Sequence, residues 1–133
     1  MFLLISTENT THFSVAAGNE AIEKIKIVKK QYKHSELLLK TINELGHEKW
    51  QAIFVVAGSG AFSALRIGIA TANAFSFALK IPVVGVKIEK DWNYSDEKEK
   101  MEKVWSAAVA ELKRKKKKAD FVIPFYDKEP NIT

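Results

Sequence analysis

The spacing of apolar residues changes period several times along the chain, and each change marks an element. Phe2 to Ile5 is a short apolar run, the mark of a central strand. Thr7-Glu8-Asn9-Thr10 reads as a turn. His12 to Ala17 alternates loosely and is rich in β-formers, which predicts a second strand, with Gly18-Asn19 as the hairpin turn after it. From Ala21 to Lys29, Ile22, Lys24, Lys26 and Val28 alternate with Ala21, Glu23, Ile25 and Ile27. That period of two predicts a third strand, antiparallel to the second and wetter on one face.

The period then lengthens. A helix opens near His34-Ser35 and carries Leu38, Ile42 and Leu45 on one stripe. Leu37 lies off that stripe and Leu39 beside it, so the apolar face is wider than one sheet contact needs. Gly46 ends this helix at the C′ position. Ala52 to Val56 is a buried strand, Gly58-Ser59-Gly60 a turn, and the next helix continues to Lys80, where Ile81-Pro82 breaks it. Val83 to Ile88 is a further strand. Ser95 is placed to cap a third helix, with Asp96, Glu97 and Glu99 at its positive end and Met101, Trp105, Ala108 and Leu112 as its apolar stripe. Phe121 to Phe125 reads as a last edge strand limited by Pro124, and the tail after Tyr126 as loose. The order β-β-β-α-β-α-β-α-(β) predicts an α/β domain with a mixed five-stranded sheet flanked by helices.

The second helix stands apart because it has almost no polar face, which a surface helix normally keeps. Phe62, Leu65, Ile69, Ala72 and Phe75 fall close to one stripe, and Ala64, Gly68 and Thr71 form a second stripe of small residues. One stripe suits the sheet; the other lets a partner helix approach closely. The plainer alternative is a fully buried core helix of a monomer. Arg66 is the one charge in it, either reaching to the rim or pairing with an acid, within the chain or across a subunit contact.

Composition sets bounds on this picture. At 133 residues the chain is one domain with room for a single sheet and a real core. It has no cysteine, which removes disulfides, thiolate metal sites and cysteine nucleophiles. Its opening residues do not form a signal peptide. Residues 61–80 are interrupted by Arg66, Thr71, Asn73 and Ser76, so they read as buried rather than membrane-spanning. The formal net charge of +5 is concentrated in Lys113-Arg114-Lys115-Lys116-Lys117-Lys118. That run is either a solvated helix end offsetting the dipole or an electrostatic contact with RNA.

Candidate chemistry is sparse. The amides of Gly58, Ser59 and Gly60 at a helix N-terminus suit an anion, but the turn lacks a third fingerprint glycine and a P-loop lysine. Ser59 sits where a nucleophile-elbow serine would, yet Ala57 and Ala61 replace the outer glycines and His12, His34 and His47 are each isolated in sequence. The same three histidines lack metal-ligand spacing, so no metal site is expected.

Gly58-Ser59-Gly60-Ala61-Phe62-Ser63-Ala64-Leu65-Arg66-Ile67-Gly68 resembles the glycine-turn hallmark of the TsaB (YeaZ) family. Ala70-Thr71-Ala72, then Ala78-Leu79-Lys80-Ile81-Pro82-Val83-Val84-Gly85-Val86, resemble that family's helix and following strand, and His34-Ser35-Glu36-Leu37-Leu38 its first helix start. The match runs over roughly the first 88 residues and is most specific from the glycine turn to Val86. The resemblance implies a single actin-like (ASKHA, ribonuclease H-like) domain over residues 1–126 with a loose tail over 127–133, in a short chain that reads as a natural form rather than a fragment. It implies a non-catalytic, cytoplasmic role in threonylcarbamoyladenosine synthesis on tRNA. A TsaD-like enzyme would pack on the two helices through Leu39, Ala61, Ala64, Leu65, Arg66, Gly68 and Thr71. ATP and a divalent metal would sit on that partner and no cofactor on this chain alone. A homodimer through the same helices, a TsaE-like ATPase and indirect tRNA contact complete the implied set.

The chain departs from the family in three ways. Ser6-Thr7-Glu8 stands where an Asp-Thr-Ser phosphate loop is usual, so the acid is missing at Ser6. Ala61, Ser63 and Ala64 replace Ser, Thr and Gly, and the sequence stops where the second, smaller domain that completes the nucleotide cleft is expected. Two alternatives remain open: a small nucleotide-binding protein or hydrolase using the Gly58–Gly60 turn, and a self-associating module with no tRNA role.

Overall fold

Side chains that alternate across one sheet divide the core in two. The structure, a computed structural model, describes residues 1–46, 49–58 and 60–114. Its elements are β1 (Phe2–Ser6), β2 (Phe13–Gly18), β3 (Ile22–Val28), α1 (His34–Glu44), β4 (Ala52–Gly58), α2 (Phe62–Leu79), β5 (Val83–Lys87) and α3 (Glu97–Arg114). The sheet order is β3-β2-β1-β4-β5. The first three strands pair antiparallel, and β4 is parallel to both β1 and β5. Leu4 sits opposite Ala16 on one side and Phe54 on the other, which sets the register of the central strands.

Leu3, Ile5, Val15, Ala17, Ile53 and Val55 point to the face covered by α1 and α2, where Leu38, Ile42, Leu65, Ile69 and Ala72 meet them. Leu4, Ala16, Phe54, Val56, Val84 and Val86 point to the opposite face, under Met101, Val104, Trp105 and Ala108 of α3. The sheet is therefore a middle layer, and β1 and β4, buried on both faces, read as continuous apolar runs for that reason. Trp105 packs edge-on to Phe54 with centroids 5.3 Å apart, and its indole N–H donates to the Asn19 carbonyl at 3.0 Å. Both ends of that aromatic side chain are satisfied.

The helix ends differ in part from the sequence expectation. Gly46 has φ 123°, in keeping with the expected C′ glycine of α1. The α2 helix stops one step before Ile81-Pro82: Lys80 takes the left-handed conformation (φ 56°, ψ 47°) and its N–H donates to the Ser76 carbonyl. The cap of α3 is Asp96 rather than Ser95, since Asp96 Oδ1 accepts the Glu99 N–H at 2.8 Å. The Ser95 hydroxyl and N–H instead donate to the Glu99 carboxylate, at 2.6 and 3.2 Å. The expected edge strand over Phe121 to Phe125 and the tail 127–133 lie outside the described residues, as do Ser59, His47 and Lys115 to Lys118.

Candidate functional site

The turn after β1 ties three parts of the chain together, one residue at a time. The Ser6 hydroxyl donates to both oxygens of Glu8, at 2.7 and 2.8 Å. The Thr7 hydroxyl donates to the Ala64 carbonyl at 2.7 Å and accepts the Gly68 N–H at 3.1 Å. The Glu8 carbonyl accepts the Ala61 N–H at 3.0 Å. Gly60 lies so close that a Cβ there would fall 2.5 Å from the Glu8 Cβ, so only glycine fits.

From the other face, Lys100 of α3 reaches this turn. Its ammonium donates to Glu8 at 2.6 Å and to the Ser6 hydroxyl at 3.2 Å, and pairs with Glu97 at 2.7 Å. Ser14 donates to the second oxygen of Glu97, and His12 Nε2 is 3.3 Å from the first. Lys100 and Glu8 are almost wholly buried. Burial pushes the Lys100 amine down, but the charges and hydrogen bonds of Glu8 and Glu97 more than reverse this and hold it above its ordinary value. Burial pushes Glu97 up, and Lys100, Ser14 and His12 more than offset that, leaving its carboxyl below the usual range. A groove of about 520 Å³ opens onto the cluster, lined among others by His12, Lys29, Tyr94 and Asp96.

Sequence reasoning did not find this cluster. It noted that the acid was missing at Ser6; the structure supplies one two residues later, at Glu8, with its own cation. The signal lay in helical phase: Lys100, Val104 and Ala108 recur every four residues on the buried side of α3. Among the described residues, His12 and His34 are engaged too. Buried His34 places Nε2 at 2.5 Å from the Asn9 carbonyl and 3.1 Å from the His12 carbonyl, so that nitrogen is the donor. It is a structural clamp on the β1–β2 turn. Among the described residues, no group of three or more His, Asp or Glu is arranged to hold a metal ion.

Backbone groups at both ends of the glycine turn are bonded within the chain. The Gly58 carbonyl accepts the Ile88 N–H at 2.6 Å, and the Ala61 N–H that would face an anion is taken by Glu8.

The expected partner residues divide between inside and outside. Leu65 is fully buried against the sheet, Ala64 is 5% exposed, and Gly68 is packed on Thr7, where an added Cβ would lie 2.3 Å from the Thr7 hydroxyl. These three lie on the inner side of α2, because the small-residue stripe makes room for the β1 turn. Ala61 and Thr71 are half-buried and Arg66 is exposed. Leu39, 57% exposed on α1, stands over a groove of about 400 Å³ whose other walls are Ala70, Thr71, Ala74, Phe75 and Ala78 of α2. Phe77, on the same helix, is 87% exposed. The outward face of α2 is thus one helical step away from the stripe read in the sequence. In the lysine run, Lys113 pairs with Glu20 at 3.0 Å and Arg114 with Glu111 at 2.5 Å. Among the described residues, no helix is long and apolar enough to cross a membrane.

Residues 19–89 match the family described as TsaD: tRNA N6-adenosine threonylcarbamoyltransferase. Among solved structures, YeaZ from Pseudomonas aeruginosa superposes with a TM-score of 0.59 and 28% identity, over 65% of this chain and 43% of that one. A protein from the same organism, described as similar to peptidase YeaZ, superposes with a TM-score of 0.51 and 25% identity, over 65% of this chain and 42% of that one. The chain spans less than half the length of either structure. No curated protein sequence matches it.

Proposed function

The chain belongs to the TsaD family, and from its likeness to YeaZ within that family's fold we propose that it is a non-catalytic, TsaB-like subunit that binds a TsaD-like enzyme and supports threonylcarbamoyl transfer to adenosine in tRNA. Its fold is the actin-like, ribonuclease H-like domain with a mixed five-stranded sheet, matching the amino-terminal part of YeaZ. One observation carries the functional reading: α1 and α2 present a shared apolar groove to solvent, with Leu39 on one wall and alanines on the other. Small side chains at Ala70, Ala74 and Ala78 let a foreign helix approach to about 8–10 Å between axes, and Leu39 and Phe75 supply the apolar knobs.

In this reading the chain brings a rigid two-helix face and no reacting group. ATP, a divalent metal and the acyl-transfer chemistry belong to the enzyme subunit. The same face closes a homodimer when the enzyme is absent, and a TsaE-like ATPase and tRNA are reached through the complex, with the lysine run adding nonspecific attraction to RNA. The nucleotide-site alternative at Gly58–Gly60 has less support, because Glu8 lies against that turn and takes its helix-start amide.

The test is size-exclusion chromatography with light scattering, alone and with the TsaD-like protein of the same source. Leu39→Asp and Ala74→Arg serve as probes because both positions are exposed. A one-to-one complex is expected for the parent chain and at least tenfold weaker association for each variant, with melting temperatures unchanged. No complex with the parent chain, or variants that bind as well as it does, sinks the reading.

A further inference from the structure

Three oxygens from two segments of the chain, the end of β1 with its turn and the start of α3, converge on one point at the carboxyl end of β1. They are Ser6 Oγ, Glu8 Oε1 and Glu97 Oε1, and the Lys100 ammonium stands among them at 3.2, 2.6 and 2.7 Å. An ammonium has three N–H donors, and this one has an acceptor for each. We infer that Lys100 is a built-in cation filling an oxygen-lined cation site, so that this end of the sheet is closed to an outside cation for as long as the lysine is present.

The chemistry of the shell supports this. Two carboxylates face a single ammonium, so the shell carries one negative charge more than its resident cation offsets. His12 Nε2 lies 3.3 Å from Glu97 Oε1 at the edge of the shell. The shell is also tied down without the lysine: Ser6 donates to Glu8, Ser14 donates to Glu97, and the Glu8 backbone is pinned by the Ala61 N–H. The groove of about 520 Å³ gives solvent a path to its centre.

The experiment uses the full chain with Lys100→Ala, which removes the stem and the charge, and Lys100→Met, which keeps most of the stem. Each is melted with ethylammonium chloride, with manganese(II) chloride, and with tetramethylammonium chloride as the control for ionic strength. Removing one partner of a buried ion pair is strongly destabilising, so both variants start lower than the parent. A saturable rise of about 5 °C or more is expected in Lys100→Ala with ethylammonium or manganese, beyond the control, and none in the parent chain. Adding Glu8→Gln to Lys100→Ala should abolish the rise. Recovery of a chain that is unfolded without added cation counts as the same support. The inference is overturned if both variants respond no more than the parent, including the case where they stay unfolded in every salt, if the parent shows the same saturable rise, or if Glu8→Gln leaves the rise intact.

Discussion

Gly68 shows what a single residue decides in this fold. In sequence it belongs to a small-residue stripe open to a partner helix; in space it is where α2 rests on the β1 turn. Its N–H and the Ala64 carbonyl hold the Thr7 hydroxyl between them. A methyl group at position 68 would lie 2.3 Å from that hydroxyl, which has no room to swing away without losing both bonds. Gly68→Ala is therefore expected to destabilise the isolated chain by about 1–3 kcal/mol, from strain plus an unpaired buried hydroxyl. The gain in helix propensity, about 1 kcal/mol, offsets only part of this. Urea unfolding measures it; an unchanged or raised midpoint would show that the turn yields. For the same reason a bulky residue at 68 reports on folding and cannot serve as an interface probe, whereas Leu39 and Ala74 can.

At the scale of elements, strands and helices were legible because burial imposes their periods. The alternation of β3 exists because one of its faces is wet, and the unbroken apolar runs of β1 and β4 because both of theirs are dry. What sequence could not show was how the elements are joined by polar side chains. Glu8 and Glu97 are 89 positions apart by residue number, and Lys100 reads as one more lysine in a helix rich in them. The apolar excess of α2 was legible as surplus, but dividing it between sheet, turn and solvent required knowing that Thr7 sits beneath Gly68. The polar clamp of α3 has a testable pH signature. Glu97 titrates below its ordinary 4.5 in the folded chain, so its contribution is complete above that value and is lost as pH falls through the folded one. Lys100 titrates above its ordinary 10.5, so its contribution is present below that value and is lost as pH rises through the folded one. Urea midpoints at pH 7 and pH 3.5 should therefore fall further in the parent chain than in Glu97→Gln. Equal falls would mean that Glu97 is not part of the acid response.

At the scale of the whole molecule, the two sides of the sheet are finished unequally. On one side α3 lies along the sheet with a charged outer surface. On the other, α1 and α2 leave Leu39, Phe77 and Leu79 in water beside a groove lined by alanine. An apolar groove open to solvent beside exposed large apolar side chains is a mark of an interaction surface. If a TsaD-like subunit covers it, binding to the folded chain but not to the unfolded one must raise apparent stability by mass action. With the partner in excess at about a hundred times its dissociation constant, the gain is about 2.7 kcal/mol, which at roughly 4 °C per kcal/mol for a domain of this size is about 11 °C in melting temperature. The signal is read from this chain alone, labelled at its amino terminus, as the enzyme concentration is raised. A rise that follows the logarithm of partner concentration in the parent chain, and is absent in Ala74→Arg, would tie the stabilisation to the α1–α2 face. A rise of the same size in the variant would place the contact elsewhere on the molecule.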